Sequence, residues 1–142
     1  MTASTTLQTA RTNESQEPTL RSNMEAIARA LRVEIAPHED AALSLVIDNV
    51  PATFAATRHG RIAAFFKLGE ADQVSRKVFL GALSESAAWG LRGATLRFVV
   101  MDGDFALLWS PVPMPDAALL EQLDEAIATA LAVAELVASY PA

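Results

Sequence analysis

The sequence contains no cysteine. That absence excludes a disulfide framework, a thiol nucleophile, and thiolate-held zinc or iron–sulfur sites. Histidine is scarce: His38 and His59 are the only two, which leaves little imidazole for metal binding or proton transfer. Positive charge vanishes from the last part of the chain. From Asp102 onward there is no lysine or arginine, while Asp102, Asp104, Asp116, Glu121, Asp124, Glu125 and Glu135 are all acidic. A surface that tracks a phosphate backbone needs the opposite sign, so no nucleic acid partner is expected. The plain reading of the acidic block is a solvated helix face that aids solubility. Long apolar runs are missing too. The longest, residues 126–138, holds Thr129 and Glu135 and falls short of the ~18–20 residues that span a bilayer. The polar, Thr-rich start has no apolar segment of the kind that directs secretion. No membrane insertion is expected, and a reducing cytoplasm suits the chain best.

What is present is a 142-residue chain, 51% hydrophobic, with a net charge of −6. That is enough for one domain with a substantial core. The first 22 residues hold only two large aliphatic side chains, Leu7 and Leu20. Such a stretch cannot offset its own ordering entropy, so residues 1–21 are expected to form a flexible polar leader before a single domain over 22–140.

Ser22-Asn23-Met24-Glu25 has the spacing of a capping box, and Met24, Ile27, Ala28 and Leu31 follow at helical intervals. A short amphipathic helix ending near Val33 is expected. Leu43, Leu45 and Ile47 then alternate with Ser44, Val46 and Asp48, and Asn49 to Pro51 has turn chemistry. Two further strands flank His59-Gly60, read as a two-residue hairpin loop. That loop would set Phe54 opposite Phe65, with Ile62, Phe66 and Leu68 on the other face. Asp102-Gly103 is a stronger turn signal. Pairing outward from it sets Val100 against Phe105, Phe98 against Leu107 and Leu96 against Trp109, all on one face. Between the hairpins, residues 72–90 read as a helix capped by Asp72. Gly81 within it costs ~1 kcal/mol relative to alanine. Pro113 and Pro115 end the sheet. From Asp116, the stripe Leu120, Leu123, Ile127, Leu131, Ala134 and Val137 predicts a helix to about Ser139, roughly 35 Å long. The fold class is therefore α+β, in the order α-β-β-β-α-β-β-α. One twisted antiparallel sheet of about five strands is packed by helices.

Catalytic motifs are lacking. No phosphate-binding loop, dinucleotide fingerprint, zinc-protease helix or nucleophile elbow is present. Asp102-Gly103-Asp104 is explained by the turn rather than by a metal. His38-Glu39-Asp40 places three adjacent residues that cannot easily converge on one ion. No cofactor is expected. The unusual feature is apolar excess on both sheet faces: Val46, Phe65, Val99, Met101 and Leu108 lie opposite the best core positions. Either a second layer covers them, or they form a groove for an extended polypeptide. The middle helix, with Val78, Phe79, Leu83 and Trp89, is more apolar than a one-sided surface helix needs. That suggests the seam of a homodimer, for which a two-fold interface is the default.

Element order, size, acidity and lack of cysteine resemble the class I type III secretion chaperones, the Tir-chaperone family. The similarity spans roughly residues 22–139. It rests most on the strand 93–102, the return strand 105–109, then Pro113-Met114-Pro115 leading into the helix with Leu119, Leu120, Leu123 and Ile127. The resemblance implies a non-enzymatic, bacterial cytoplasmic homodimer. It would bind the N-terminal segment of a secreted effector in extended form, without ATP, and keep it export-competent. By position it implies Leu31, Ile35, Val46, Phe54 and Phe65 as effector-binding residues. It implies Val78, Phe79, Leu83, Trp89 and Val99 at the dimer interface. In that family the first helix usually starts close to the initiator methionine, whereas a polar leader precedes it here. Two other functions fit the same residues: a dimeric adaptor or regulator that binds a folded partner, and a small enzyme with a pocket between helix and sheet.

Overall fold

A computed structural model describes residues 20–33, 42–57, 60–91 and 95–142, with the side chains of 42 and 87–91 outside that description. The chain forms helix α1 (Leu20–Leu31), strands β1 (Ala42–Ile47), β2 (Val50–Ala56) and β3 (Ile62–Glu70), and a 3-10 turn (Ala71–Gln73). Helix α2 (Arg76–Leu91), strands β4 (Leu96–Met101) and β5 (Asp104–Trp109) and helix α3 (Asp116–Ser139) complete it. The element order is the one expected from the sequence. All strand pairs are antiparallel, in the order β1-β2-β3-β5-β4. The α2 crossover carries the chain past β5, so β4 becomes an edge strand.

Turn chemistry sets the registers. Asp102 and Gly103 both adopt positive φ (53° and 81°), the type I′ geometry that suits a two-residue hairpin. The resulting pairs are Val100 with Phe105, Phe98 with Leu107 and Leu96 with Trp109, as expected. Asp48 and Asn49 form a second such turn, one residue earlier than the expected Asn49 to Pro51, and Pro51 belongs to β2. The β2–β3 hairpin differs from expectation. The Thr57 N–H donates to the Arg61 carbonyl at 2.7 Å, so three residues, not two, lie between the closing pair. Gly60, at φ 73°, supplies the left-handed position at the end of that loop. The extra residue slips the register by one and turns every side chain of β2 over. Phe54 therefore pairs with Ala64, and Thr53 with Phe65.

Helices α1 and α3 cover one sheet face, and the core lies between. Phe54, Ala64, Phe66, Leu107 and Trp109 are buried there. Phe54 and Phe66 meet edge to face at 5.8 Å. Phe98 and Phe105 stack at 5.6 Å, and Phe79 of α2 tilts against Phe105. The buried Trp109 indole N–H donates to Gln122 Oε1 of α3 at 3.2 Å, which also accepts from Thr95 Oγ1. α3 is the expected helix, but its buried stripe is Leu119, Leu123, Ala126, Ala130 and Val137. Leu120, Ile127 and Leu131 flank that stripe half-buried. At Gly69 the sheet comes so near α3 that a Cβ would sit 3.0 Å from Val137 Cγ1.

The first turns of α1 are tied to the loop before α3, and its end is closed locally. Asn23, 1% exposed, donates to the Met114 carbonyl at 2.8 Å and accepts the Met114 N–H at 3.3 Å. The expected capping box is replaced by this bond, since the helix already starts at Leu20. Its C-terminus closes with Arg32 at φ 58°. The Val33 N–H reaches the Ala28 carbonyl and the Arg32 N–H reaches that of Arg29, the two bonds of a Schellman motif. α2 is capped by Ser75, whose Oγ accepts the Val78 N–H at 3.2 Å. The expected cap, Asp72, lies in the 3-10 turn before it.

Residues 1–19 of the expected leader (1–21) and the His38-Glu39-Asp40 cluster lie outside the described residues, while Leu20 and Arg21 already belong to α1. Among the described residues, no helix is long and apolar enough to cross a membrane.

Candidate functional site

The sheet face away from α1 and α3 is the first candidate surface. The register brings Ser44, Thr53, Phe65, Leu108 and Arg97 into one row across all five strands. A neighbouring row carries Lys67, Ala106 and Val99. Leu108 is only 7% exposed, although it points away from the core. In the register it stands between Phe65 and Arg97, and Ala106 on the same face is likewise buried. Phe65 and Val99 are half-buried. Val46 on the edge strand β1 is 65% exposed, and Met101 at the end of β4 is also open. Lys67 pairs with Asp104 at 3.4 Å on this face. Both charges are partly solvated, so the pair contributes little to stability.

This arrangement divides the expected effector-binding residues. Val46 and Phe65 share the open face. Phe54 does not: it is fully buried on the opposite face, because the three-residue loop shifts β2 by one position. Assigning Phe54 to a binding surface is corrected on that ground. Leu31, at the end of α1, is half-buried and packs against the core cluster on the helix side. Ile35 lies outside the described residues.

The second surface is α2 and its surroundings. α2 runs along the free edge of β4, where Ser86 Oγ accepts the Phe98 N–H at 2.7 Å. This bond satisfies an edge donor and fixes the helix there. Phe79 turns inward to Phe105. Leu83 and its neighbour Leu80 turn outward, 44% and 51% exposed. Leu80 was not singled out from the sequence: the apolar residues of α2 are spread over several sides of the helix, so periodicity alone selects no outer face. Val78 lines a cleft of about 960 Å³ between α2 and α3, floored by Phe98 and walled by Gly81, Ala82, Val133 and Leu136. The side chain of Trp89 lies outside the described residues.

The chemistry offered by both surfaces is apolar contact with a polar fringe. Of the candidate D-x-D pair, Asp102 is a central residue of the turn and Asp104 closes it opposite Met101, where it pairs with Lys67. Among the described residues, no group of three histidine, aspartate or glutamate side chains could hold a metal ion.

No protein-family model matches the chain, and no curated protein matches it. Solved structures do. A chain of the HopA1–SchA chaperone–effector complex superposes with a TM-score of 0.61 at 12% identity, covering 81% of this chain and 92% of that one. A chain of the ExsC–ExsE complex gives 0.56 at 21% identity, covering 85% and 93%. A chain from the complex of the Yersinia pestis type III secretion chaperone SycH with a stable fragment of YscM2 gives 0.51 at 20% identity, covering 81% and 99%. At these identities the likeness is one of fold, and it takes in nearly the whole length of each matched chain.

Proposed function

We propose that this chain is a type III secretion chaperone of the class I, Tir-chaperone kind. In this reading it is a homodimer of the bacterial cytoplasm. It binds the N-terminal segment of a secreted effector in extended form and keeps that segment soluble and export-competent. It uses no ATP and no cofactor, and it catalyses no reaction. The observation that carries the reading is a conjunction. The fold is shared over four-fifths of the chain with structures named as chaperone complexes, and the sheet face away from α1 and α3 bears the exposed Val46 and Met101 and the half-buried Phe65.

The physical logic is consistent. Holding an extended chain carries a large ordering cost, which broad apolar contact offsets better than a single pocket. A strong net charge keeps a surface of that kind soluble. On this reading Val46 and Phe65 contact the effector, with Leu31 at the end of α1 and also Ile35 contributing. Val78, Leu83, Trp89 and Val99 lie at or near the seam between subunits, supported from beneath by Phe79.

The test is co-expression with amino-terminal fragments of about 100 residues from proteins encoded beside this one, followed by light scattering of the purified species. The expected result is a dimer, near twice the 15.1 kDa chain mass, carrying one fragment. Uptake of intact folded partners alone would replace this reading with the adaptor one. Thermal stabilisation by a metabolite, with no fragment retained, would replace it with the enzyme.

A further inference from the structure

Strand β1 stands at one edge of the sheet, and among the described residues only β2 pairs with it. The opposite edge is treated differently: α2 lies along β4, and Ser86 accepts the Phe98 N–H there. The sequence of β1, Ala42–Ile47, holds no charge and no proline, and Val46 is 65% exposed. These are the features of an edge that invites another strand. Ile47 and Val50 close the two-residue turn at Asp48-Asn49. Alternation from that closing pair gives the backbone bonds of Leu43, Leu45 and Ile47 to β2. The N–H and C=O groups of Ser44 and Val46 therefore face outward.

The segment before α1 has the direction, reach and composition to meet them. Asn23 bonds to Met114, five residues past Trp109 of β5. Trp109 shares a row with Ala64, Phe54 and Leu43. The chain thus enters α1 at the sheet end where β1 begins, and a segment lying along β1 from there runs antiparallel to it. A strand beside β1 is four strand spacings from β5, or ~19 Å. Residues 12–19 alone can bridge up to ~26 Å. Residues 2–12 hold five threonines, whose branched side chains suit a strand, and Leu7 is the only leucine, isoleucine or valine before Leu20. Such a segment is too polar to order itself, but a preformed edge offers it a template of backbone bonds.

We infer that residues 5–11 pair antiparallel with β1 of the same chain, with Leu7 opposite Val46. That register sets Thr9 opposite Ser44, whose hydroxyl already lies 3.5 Å from that of Thr53. A row of three hydroxyl side chains then crosses three strands, and Leu7 covers Val46. The leader is a built-in competitor at the residue assigned to the effector, which must displace it to bind. The competition rests on the proposed function; the pairing does not.

The full chain has no cysteine, so two introduced cysteines report the register directly. In Leu7→Cys with Val46→Cys the Cα atoms would stand ~5.5 Å apart, within reach of a disulfide. In Gln8→Cys with Val46→Cys the two side chains point to opposite faces. Under mild oxidation the first double variant is expected to form an intrachain disulfide at least tenfold faster than the second, read by mass and non-reducing electrophoresis, with circular dichroism as a folding check. Equal rates, no disulfide, or a disulfide joining two chains would overturn the pairing. The oxidised Leu7→Cys/Val46→Cys protein is expected to capture the amino-terminal fragments of the co-expression test at least tenfold more weakly than the same protein reduced. Equal capture by both forms would overturn the competition. Capture of no fragment by the parent chain would overturn the proposed function and the competition with it, while the disulfide still decides the pairing.

Discussion

Phe54 and Phe66 meet edge to face at 5.8 Å in the middle of the core, on neighbouring strands. Phe65, one residue before Phe66, points the other way into the open face. Two adjacent phenylalanines thus stand on opposite sides of the sheet, one structural and one available to a partner. Phe54→Ala removes a fully buried ring and is expected to cost ~3–5 kcal/mol. A loss of unfolding free energy in a urea titration below a third of that would show that the core tolerates the cavity.

Phe65→Glu should behave differently. The ring is partly solvated, so the change is expected to cost less than the ~3 kcal/mol of a fully buried ring. The circular dichroism spectrum should be retained. Capture of an effector fragment should fall at least tenfold if this face holds it. Undiminished capture with a folded variant would move the binding surface elsewhere.

The contrast between these residues also marks what the sequence could say. Asp102-Gly103 forces one register, because both positions need left-handed backbone and the dipeptide tolerates it. The pairs Phe98–Leu107 and Leu96–Trp109 followed without further information. His59-Gly60 was ambiguous: glycine can end a three-residue loop as readily as a two-residue one. That single residue moved Phe54 from the open face to the core. In α3, Leu119 and Leu120 are both apolar and adjacent, so the stripe could be drawn through either. Contact with β3 at Gly69 and with α1 selected the Leu119 side. Surfaces that meet other chains were legible only as excess: Val46 and Phe65 stood out as apolar residues on the wrong face, whereas Leu80 did not.

Asn23 is the polar hinge between α1 and the loop that starts α3. Its amide both donates to and accepts from the backbone of Met114, ninety-one residues away. Asn23→Ala leaves a buried carbonyl and N–H without partners, a loss of roughly 1–3 kcal/mol. Hydrogen exchange should rise in α1 and around Met114 before it rises in β3 or β5. Uniform exchange across the domain would show that α1 is not held separately by this bond.

Arg32 holds a left-handed conformation that costs a side chain-bearing residue ~1–2 kcal/mol. The Schellman bonds at the end of α1 require it. Arg32→Gly removes that strain and returns part of the gain as backbone entropy. A net stabilisation of about 0.5–1 kcal/mol is expected, read as a raised melting temperature. No change, or a fall, would mean that the arginine side chain contributes to the end of α1 in some other way.

Gly69 and Val137 mark the closest approach of sheet and helix. An added Cβ at Gly69 would lie 3.0 Å from Val137 Cγ1, too short for an unstrained contact. Valine in a helix has essentially one χ1 rotamer, so the methyl group cannot swing aside. Relief must come from moving α3, which is also held through Leu119, Leu123 and the bond between Gln122 and Trp109. Gly69→Ala is therefore expected to destabilise by ~1–2 kcal/mol, in the range for an overpacked core. Val137→Ala alone should destabilise by leaving space. Together the two should cost less than the sum of the singles, because the new methyl occupies room the valine vacates. A double-mutant cycle with a coupling energy beyond ~0.5 kcal/mol would support direct contact. Strict additivity would mean that α3 gives way at Gly69 without involving Val137.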